Sequence, residues 1–408
     1  MKRSNILSII TLAAAAGVTG CNSGSSVSSN NSNTQAATNL SSETLALGIE
    51  AVPDDLAQTY SSNLKFNRYT KVTAPNGQAI HIIAQDGLTD NQIVRARLIL
   101  EHYLTNYPGS TYGADKSAVA NKMTENGAKL LLLNGCDDGS NSAAELEGQP
   151  LYHDEIQVEG GSWYINQNYE HRDASFEEIL HLVHDTGIGI DQGGSDGALP
   201  AYQAEIRSAQ VTALAGNLWG MGDENRSWIQ ELTAENSLSQ EYLASVIDSY
   251  YGLWGAWTES STHGMWGVYI AKTRSEISSE DPEGAELMNN KFFHPYLTYN
   301  ARIDESFSGD FSLKYDSAKS YTNHSQYLKD VTLTGSNASN VIVNQYDNRI
   351  TGNSGENRVI FSGNSSQYSV DRASNGETKV TDQLDNRDGI NVLSNIEKLV
   401  FTDTVMEL

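Results

Sequence analysis

The sequence predicts an α+β protein in which a mixed and helical N-terminal part precedes an all-β C-terminal part. Helix and strand patterns alternate between residues 48 and 160, and helical patterns dominate from 173 to 270. From residue 331 to the end, the chain consists of short β runs separated by Gly and Asn. Because helices and strands are largely segregated along the chain, this order is typical of an α+β fold.

The composition argues against several classes of protein. The chain has 408 residues, with 51 acidic and 26 basic side chains and a formal net charge of -25. At about 100–200 residues per domain, this length allows two or three domains. The negative charge argues against nucleic acid and against an anionic membrane surface as electrostatic partners, but it suits divalent cations. Two cysteines cannot form the disulfide framework of a small secreted fold.

The N-terminus has the features of a secretory signal. A basic start is followed by an uncharged, apolar or small segment at 6–20, which is too short to span a bilayer comfortably. The segment ends in Val-Thr-Gly-Cys and resembles the lipobox of bacterial lipoproteins. The resemblance implies a signal peptide at 1–20, acylation of Cys21 and anchoring in a membrane. Asn22 stands where the inner-membrane retention signal usually has Asp, which implies the outer membrane, with the protein facing the periplasm or the cell surface.

Local patterns predict the remaining organisation. Residues 21–47 are rich in Ser and Asn and are predicted to be a flexible linker. We expect a domain at 48–325, with an α/β lead-in at 48–160 and a helical part at 161–300, and a β domain at 326–408. Turn signals, apolar runs and helical periodicity indicate the main elements. These are strands near 81–84 and 129–133 and helices near 90–107, 115–126, 176–184, 200–211 and 238–251.

The C-terminal part contains a repeat. Residues 335–343 and 352–360 are each a polar turn followed by a short apolar strand. Stacked units of this kind form a β-solenoid. The units resemble the nonapeptides of RTX β-rolls, and the closing stretch is similar to the end of serralysin-type proteins.

The RTX resemblance implies calcium between the turns, but with weakened sites. Asn340 and Asn357 stand where the ligand Asp belongs, and losing that carboxylate removes the charge that makes a calcium site strong. We therefore expect a mostly structural β module. Asp347 and Asp382 are the remaining candidates for calcium ligands.

One helix concentrates groups that can carry chemistry. At about 100° per residue, Glu177, His181 and His184 fall within roughly 60° of one another, flanked by Glu178 and Asp185. Ile, Leu and Val cover most of the remaining surface. A solvated helix face is the alternative interpretation, because Glu, His and Asp on one side are also typical of an exposed surface.

The run Glu-Glu-x-x-His at 177–181 resembles the His-Glu-x-x-His helix of zincin metallopeptidases, with the first His replaced by Glu. In that family the two His bind Zn²⁺ and the Glu between them activates a water. The resemblance therefore implies that His181 is a zinc ligand and Glu178 the general base. Glu177 occupies the place of a His ligand, which leaves the activity and the metal open. His184 is a reserve ligand.

The third ligand in gluzincins comes from a second helix. Glu241 begins a Glu-Tyr-Leu-Ala run that resembles this helix, and Glu205 is the rival third ligand. Tyr296 and Tyr299 are candidates for an oxyanion donor, although late tyrosines are more often core residues. The Gly-Gly-Ser-Trp-Tyr run at 160–164 is expected to be the edge strand that lines the substrate cleft in this family.

The sequence thus predicts a surface-anchored, zinc-dependent, peptidase-like lipoprotein with a protein or peptide substrate. Two alternatives stay open at this point. One is a non-catalytic protein that uses a zincin scaffold to bind a protein or glycan at the cell surface. The other is a lipoprotein in which His181 and His184 capture a cation without chemistry.

Overall fold

A computed structural model describes residues 40–167, 172–191, 196–257 and 263–408. The predicted signal peptide, Cys21 and the linker up to residue 39 lie outside the described residues. The linker is shorter than predicted at its C-terminal end. A helix, α1, begins at Ser42, and the Thr44 hydroxyl donates to Asp90 Oδ2 at 2.6 Å, so this segment already belongs to the folded part.

Helices and strands of the described residues follow the predicted order closely in the first half of the chain. The helices are α1 Ser42–Ala46, α2 Asp90–Leu104, α3 Ser117–Glu125, α4 Ser162–Asn166, α5 Ser175–Val183, α6 Pro200–Ala215, α7 Arg226–Glu235, α8 Leu238–Tyr250, α9 Arg274–Glu280, α10 Pro282–Met288 and α11 Thr322–Ser325. The strands are β1 Phe66–Thr73, β2 Ala79–Gln85, β3 Lys129–Leu133, β4 Gln149–Tyr152, β5 Leu297–Ile303, β6 Gly309–Ser312, β7 Leu328–Leu333, β8 Ser339–Ile342, β9 Asn348–Thr351, β10 Arg358–Ile360, β11 Tyr368–Arg372, β12 Thr378–Asp382, β13 Ile390–Ser394, β14 Lys398–Val400 and β15 Val405–Glu407. The α+β class is confirmed.

The N-terminal sheet has the order β1-β2-β3-β4. β1 and β2 form an antiparallel pair, whereas β3 runs parallel to β2 and β4 parallel to β3. The parallel pair β2–β3 is joined through α2 and α3, as a parallel connection requires. β4 therefore lies at the open edge of this sheet.

The helix α5 lies at the centre of the N-terminal part, packed against α2, α8 and β4. Its apolar side chains Phe176, Ile179, Leu180 and Val183 are fully buried. At about 1.5–3 kcal/mol per buried side chain, this packing holds the helix firmly in place. The polar side chains between them are consequently carried into the interior on a rigid element.

The prediction of an edge strand at 160–164 is wrong. Ser162–Asn166 forms the short helix α4, and Gly160 before it has a positive φ of 85°. A left-handed residue of this kind turns the chain and is incompatible with an extended strand. The edge strand nearest to α5 is instead β4, which sequence patterns did not single out.

The C-terminal strands form two sheets that the chain visits alternately. One sheet has the order β11-β12-β13-β9-β7-β5 and the other β15-β14-β10-β8-β6. From β5 to β10 each strand joins the sheet that its predecessor did not join. The pairs β5–β7, β7–β9, β6–β8 and β8–β10 are all parallel. The hairpin β11–β12 and the last strand β15 add antiparallel ends.

These two sheets begin before the predicted domain boundary at 325/326. β5 pairs with β7 from Leu297↔Leu328 to Ile303↔Leu333, and β6 pairs with β8. The sheets therefore start at Leu297, inside the segment predicted as the helical part. The shift arises because parallel pairing joins strands that are distant in sequence, and local patterns do not report it.

Buried asparagines hold successive turns of this β part together. Asn344 Oδ1 accepts from Asn348 Nδ2 at 2.9 Å, and Asn353 Oδ1 accepts from Asn357 Nδ2 at 3.0 Å. Each pair also donates to a main-chain carbonyl of the preceding turn, for example Asn357 Nδ2 to Ser339 O at 2.8 Å. Such hydrogen bonds are worth about 1 kcal/mol each. The turns are thus joined by amide groups of the chain itself.

Candidate metal centre

Three polar side chains converge from two buried helices. Glu177 and His181 lie one turn apart on the same face of α5, and Glu241 lies in the first turn of α8, which packs against α5. The exposed fractions of the three residues are 0%, 1% and 0%. The convergence of these residues, predicted from the sequence, is found in the structure.

The spacing of these groups suits a metal ion. One ligand atom from each residue lies within 4.8 Å of the others, and His181 Nε2 lies 3.5 Å from Glu241 Oε1. Two ligands of a tetrahedral zinc ion, each about 2.0–2.1 Å from the metal, are about 3.3 Å apart. Glu177, His181 and Glu241 therefore form a buried group that can bind a metal ion.

The same group contains polar atoms without hydrogen-bond partners. They are Glu177 Oε1, His181 Nε2 and both carboxylate oxygens of Glu241. A buried polar atom that lacks a partner costs about 1–3 kcal/mol, and more when it is charged. Buried atoms of this kind are normally satisfied by a protein group, an ordered water or an ion, and four of them lie together here.

Burial and mutual attraction shift the pKa values of this pair. Burial disfavours the charged form of His181, but the carboxylates of Glu241 and Glu178 outweigh it and raise the pKa of the ring. Burial also raises the pKa of Glu241, in spite of the opposing effect of His181. Burial thus favours the neutral carboxyl of Glu241, whereas a positive charge beside it favours the carboxylate.

The His181 ring is oriented by Glu178. Glu178 Oε2 lies 3.3 Å from His181 Nδ1 and accepts from Gln149 Nε2 on β4 at 2.7 Å. A donor hydrogen on Nδ1 leaves the lone pair on Nε2, which faces Glu241. Histidine ligands of metals usually donate their other ring nitrogen to a carboxylate in this way. The Glu178 side chain is 13% exposed, more than any of the three buried residues.

Arg172 is a basic neighbour of this group. Its Nη1 pairs with Glu177 Oε2, and its guanidinium lies 5.1 Å from the centre of the Trp266 ring. Glu177 therefore has one oxygen paired with Arg172 and one without a partner. Sequence analysis did not identify Arg172. The one available signal was a basic residue five positions before Glu177 in an acidic chain.

His184 is hydrogen-bonded to α6 and is not one of the three residues whose ligand atoms lie within 4.8 Å of one another. It opens a single π-helical turn, His184–Ile188, directly after α5. Its Nε2 lies 2.6 Å from Gln203 Oε1, and the Gln203 amide nitrogen donates to Asp191 Oδ2 at 3.0 Å. This orientation of the amide makes Nε2 the donor, and burial lowers the pKa of His184 to about 4. The predicted reserve ligand is thus a neutral ring bonded to α6.

Glu205, the rival third ligand, lies elsewhere. Its carboxylate accepts from the Tyr112 hydroxyl at 2.7 Å and pairs with Lys291 at 3.0 Å. The side chain is 39% exposed, and it already has two partners. Of the two candidates, the structure places Glu241 beside His181, as preferred from the sequence.

The predicted oxyanion donors have other contacts. The Tyr299 hydroxyl donates to Glu159 Oε1 at 2.6 Å, within a buried network that includes Arg95. The Tyr296 ring lies 5.6 Å from the Tyr346 ring. Within the described residues neither tyrosine has a hydrogen bond to the Glu177–His181–Glu241 group. Both belong to the packing around β5.

The candidate calcium ligands are also engaged within the chain. Asp382 accepts from Arg387 Nε at 2.7 Å, and Asp347 Oδ1 accepts from the Ile390 main-chain nitrogen at 2.9 Å. Hydrogen bonds from Arg387 keep the pKa of Asp382 below its usual range, although burial acts in the opposite direction. A carboxylate that is already neutralised by arginine is a poor calcium ligand.

We expect calcium to leave the stability of the protein unchanged. Asn side chains already hydrogen-bond to one another between the turns, so low-millimolar CaCl₂ should shift the melting temperature of the full chain by less than about 2 °C. Equal MgCl₂ controls for non-specific screening of the acidic surface. A rise of 5 °C or more with calcium alone, lost in an Asp382→Asn variant, would contradict this expectation.

Comparison with known proteins gives no family for the chain. No protein-family model matches it, and no curated protein sequence matches it. Across the described residues, no helix has the length and apolar character needed to cross a membrane. Any statement about function consequently depends on the geometry of the candidate site and on the sequence motifs.

Proposed function

We propose that the Glu177–His181–Glu241 group binds one zinc ion and that the chain is a metal-dependent hydrolase acting on peptide bonds. The observation that carries this proposal is the set of buried, unpartnered atoms from all three residues at metal-ligand spacing. A divalent cation would satisfy these atoms together and compensate the two carboxylate charges.

The donor set supports zinc among the common divalent ions. One imidazole nitrogen and two carboxylate oxygens are accepted ligands of Zn²⁺, whereas Ca²⁺ and Mg²⁺ prefer oxygen ligands in larger number. Three protein ligands also leave the fourth tetrahedral position for a water, as in catalytic zinc sites. The resemblance of the 177–181 run to the zincin helix supports the same ion.

Glu178 is the proposed general base. Zinc, when bound, supplies a water of lowered pKa and polarises the carbonyl under attack. Glu178 lies next to His181 on the same helix and is partly exposed, whereas the three proposed ligands are buried. Its carboxylate accepts from Gln149 Nε2 and lies beside His181 Nδ1, so accepting a proton from such a water requires the side chain to turn from Nδ1 toward the metal.

The open edge of β4 supports an extended peptide as the substrate. β4 ends its sheet, and its residue Gln149 contacts Glu178 directly. An extended chain that adds to such an edge gains main-chain hydrogen bonds and lies next to the proposed base. In this proposal β4 takes the place of the edge strand expected at 160–164.

We also propose a finer description of the fold. Helix α5 with its Glu-Glu-x-x-His run, α8 with Glu241 and the edge strand β4 together support a zincin-like arrangement. Alternating parallel strands and the asparagine pairs support a β-roll-like C-terminal part of RTX type, with its turns closed by amide groups.

Metal content tests this proposal. The full chain, purified after exposure to ZnCl₂ and desalted, is expected to retain about one equivalent of zinc by elemental analysis. Retention should be lost after treatment with a strong chelator and restored by adding zinc. A protein that stays folded and retains no zinc under these conditions would rule out the hydrolase.

A second candidate is a non-catalytic surface-binding protein on the same scaffold. Two observations favour it: Arg172 already pairs with one oxygen of Glu177, and all three residues of the group are buried. A catalytic zinc ion keeps an open position, whereas a closed site is typical of a structural one. The absence of zinc, or zinc without hydrolysis of any peptide, is the result that this candidate predicts.

We also propose that the protein is an outer-membrane lipoprotein anchored through Cys21. In a bacterial host fed an alkyne analogue of palmitate, the wild-type chain should become labelled, and a Cys21→Ser variant should not. The variant should remain folded, which circular dichroism checks. Equal labelling of the two proteins would show that Cys21 is not the acylated residue.

A further inference from the structure

Arg172 pairs with Glu177 and so adds a positive charge to the proposed metal centre. This inference rests on the proposed function. Glu177 and Glu241 together carry two negative charges, and Arg172 carries one positive charge. The three groups therefore leave one negative charge beside the His181 ring. The guanidinium is held by Glu177 on one side and by the Trp266 ring on the other.

We propose that Arg172 acts on the metal centre through Glu177, whose charge it compensates while leaving one carboxylate oxygen free for the metal. Glu177 Oε2 is bound to Arg172, and Oε1 is buried and unpartnered. A carboxylate fixed through one oxygen offers the other as a single ligand. In charge, the Glu177–Arg172 pair is then equivalent to one neutral histidine.

The aromatic residues around Arg172 keep the guanidinium in the interior. Trp266 packs edge-to-face on Trp254 at 5.1 Å between ring centres, and the Trp254 indole donates to Asp248 Oδ2 at 3.2 Å. Arg172 is 9% exposed, so its charge acts through protein rather than water. Interactions between charges are stronger in such surroundings. We therefore expect the charge at position 172 to affect the zinc affinity of the site.

A double-mutant cycle tests the compensation, with zinc affinity of the full chain as the readout. Glu177→His alone leaves Arg172 unpaired next to the metal, and we expect it to weaken zinc binding at least tenfold. Arg172→Gln alone removes a positive charge and no ligand, and it should bind zinc at least as tightly as the parent. The double variant should return to within about threefold of the parent, because a neutral histidine needs no counter-charge.

Each alternative result has a defined meaning. If Glu177→His binds zinc as tightly as the parent, or if the double variant binds no better than Glu177→His, then Arg172 does not compensate Glu177. Arg172→Gln that binds zinc more than tenfold more weakly overturns the charge argument in the same way. If the parent itself binds no zinc, it is the proposed function that fails.

Two controls keep the result interpretable. Arg349→Gln removes the same charge from an exposed ion pair in the C-terminal β part, and its zinc affinity should equal that of the parent. The metal-free melting temperature should fall in each single variant, because a buried charge loses its partner, and it should recover in the double variant. If Arg172 had a purely structural role, the double variant would recover its melting temperature but not its zinc affinity. Recovery of both therefore supports charge compensation.

Discussion

Replacing His181 with alanine is expected to abolish zinc binding by the intact chain. His181 Nε2 is the sole nitrogen ligand of the proposed site, and it lies 3.5 Å from Glu241 Oε1. Removing one of three protein ligands should weaken binding at least 100-fold, or about 2.8 kcal/mol at 1.4 kcal/mol per factor of ten. Isothermal titration with zinc at pH 7.5 measures this loss directly.

The comparison needs a matched histidine and a fold control. His153 pairs with Asp154 and its side chain is 39% exposed, so His153→Ala should retain the parent affinity. Because His181→Ala also leaves a cavity beside an unpaired Glu241, His181→Gln provides a bulkier polar replacement, and circular dichroism confirms folding of both. Undiminished zinc affinity in a folded His181 variant would place the metal elsewhere in the chain.

Replacing Glu178 with glutamine is expected to remove hydrolysis and leave the metal in place. A general base contributes about 10²–10⁴-fold to the rate, so turnover of a peptide substrate should fall by that factor. Glutamine still offers an oxygen to His181 Nδ1, so the ring keeps its orientation. Zinc content and peptide hydrolysis, measured on the same preparation, separate the two effects.

A surface variant serves as the control for this test. Glu147→Gln changes a side chain that is 77% exposed and should leave both quantities unchanged. If Glu178→Gln loses zinc together with activity, then Glu178 acts mainly by orienting His181 as a hydrogen-bond acceptor. If it keeps full activity, the assignment of Glu178 as the base is wrong.

The local parts of the fold could be predicted from the sequence. The apolar run at 129–133 coincides with β3, and helical periodicity located α2, α5 and α8 to within a few residues. The i, i+4 spacing of Glu177 and His181 placed both on one face of α5. These features depend on residues that are close together in the chain, which is why pattern and propensity were sufficient.

The incorrect or missed predictions concern features that depend on contacts or backbone geometry that local sequence patterns do not report. β5 was assigned to the helical part, because its partner β7 lies some thirty positions further along the chain, as in the pair Asn300↔Asp330. The run at 160–164 was expected to be an edge strand from the zincin resemblance, but Gly160 has a positive φ and the residues that follow form α4. The partner of Glu177 was missed because the only sequence signal was the position of Arg172, five residues before Glu177, and this does not show that the two side chains meet.

The most direct test of the account is a crystal structure of the zinc-loaded protein with data collected at the zinc absorption edge. We expect one anomalous peak between α5 and α8, about 2.0–2.2 Å from His181 Nε2 and from one carboxylate oxygen each of Glu177 and Glu241. Arg172 should remain on the other oxygen of Glu177. A structure of the folded protein with no peak at this position, or with zinc held by other residues, would contradict it.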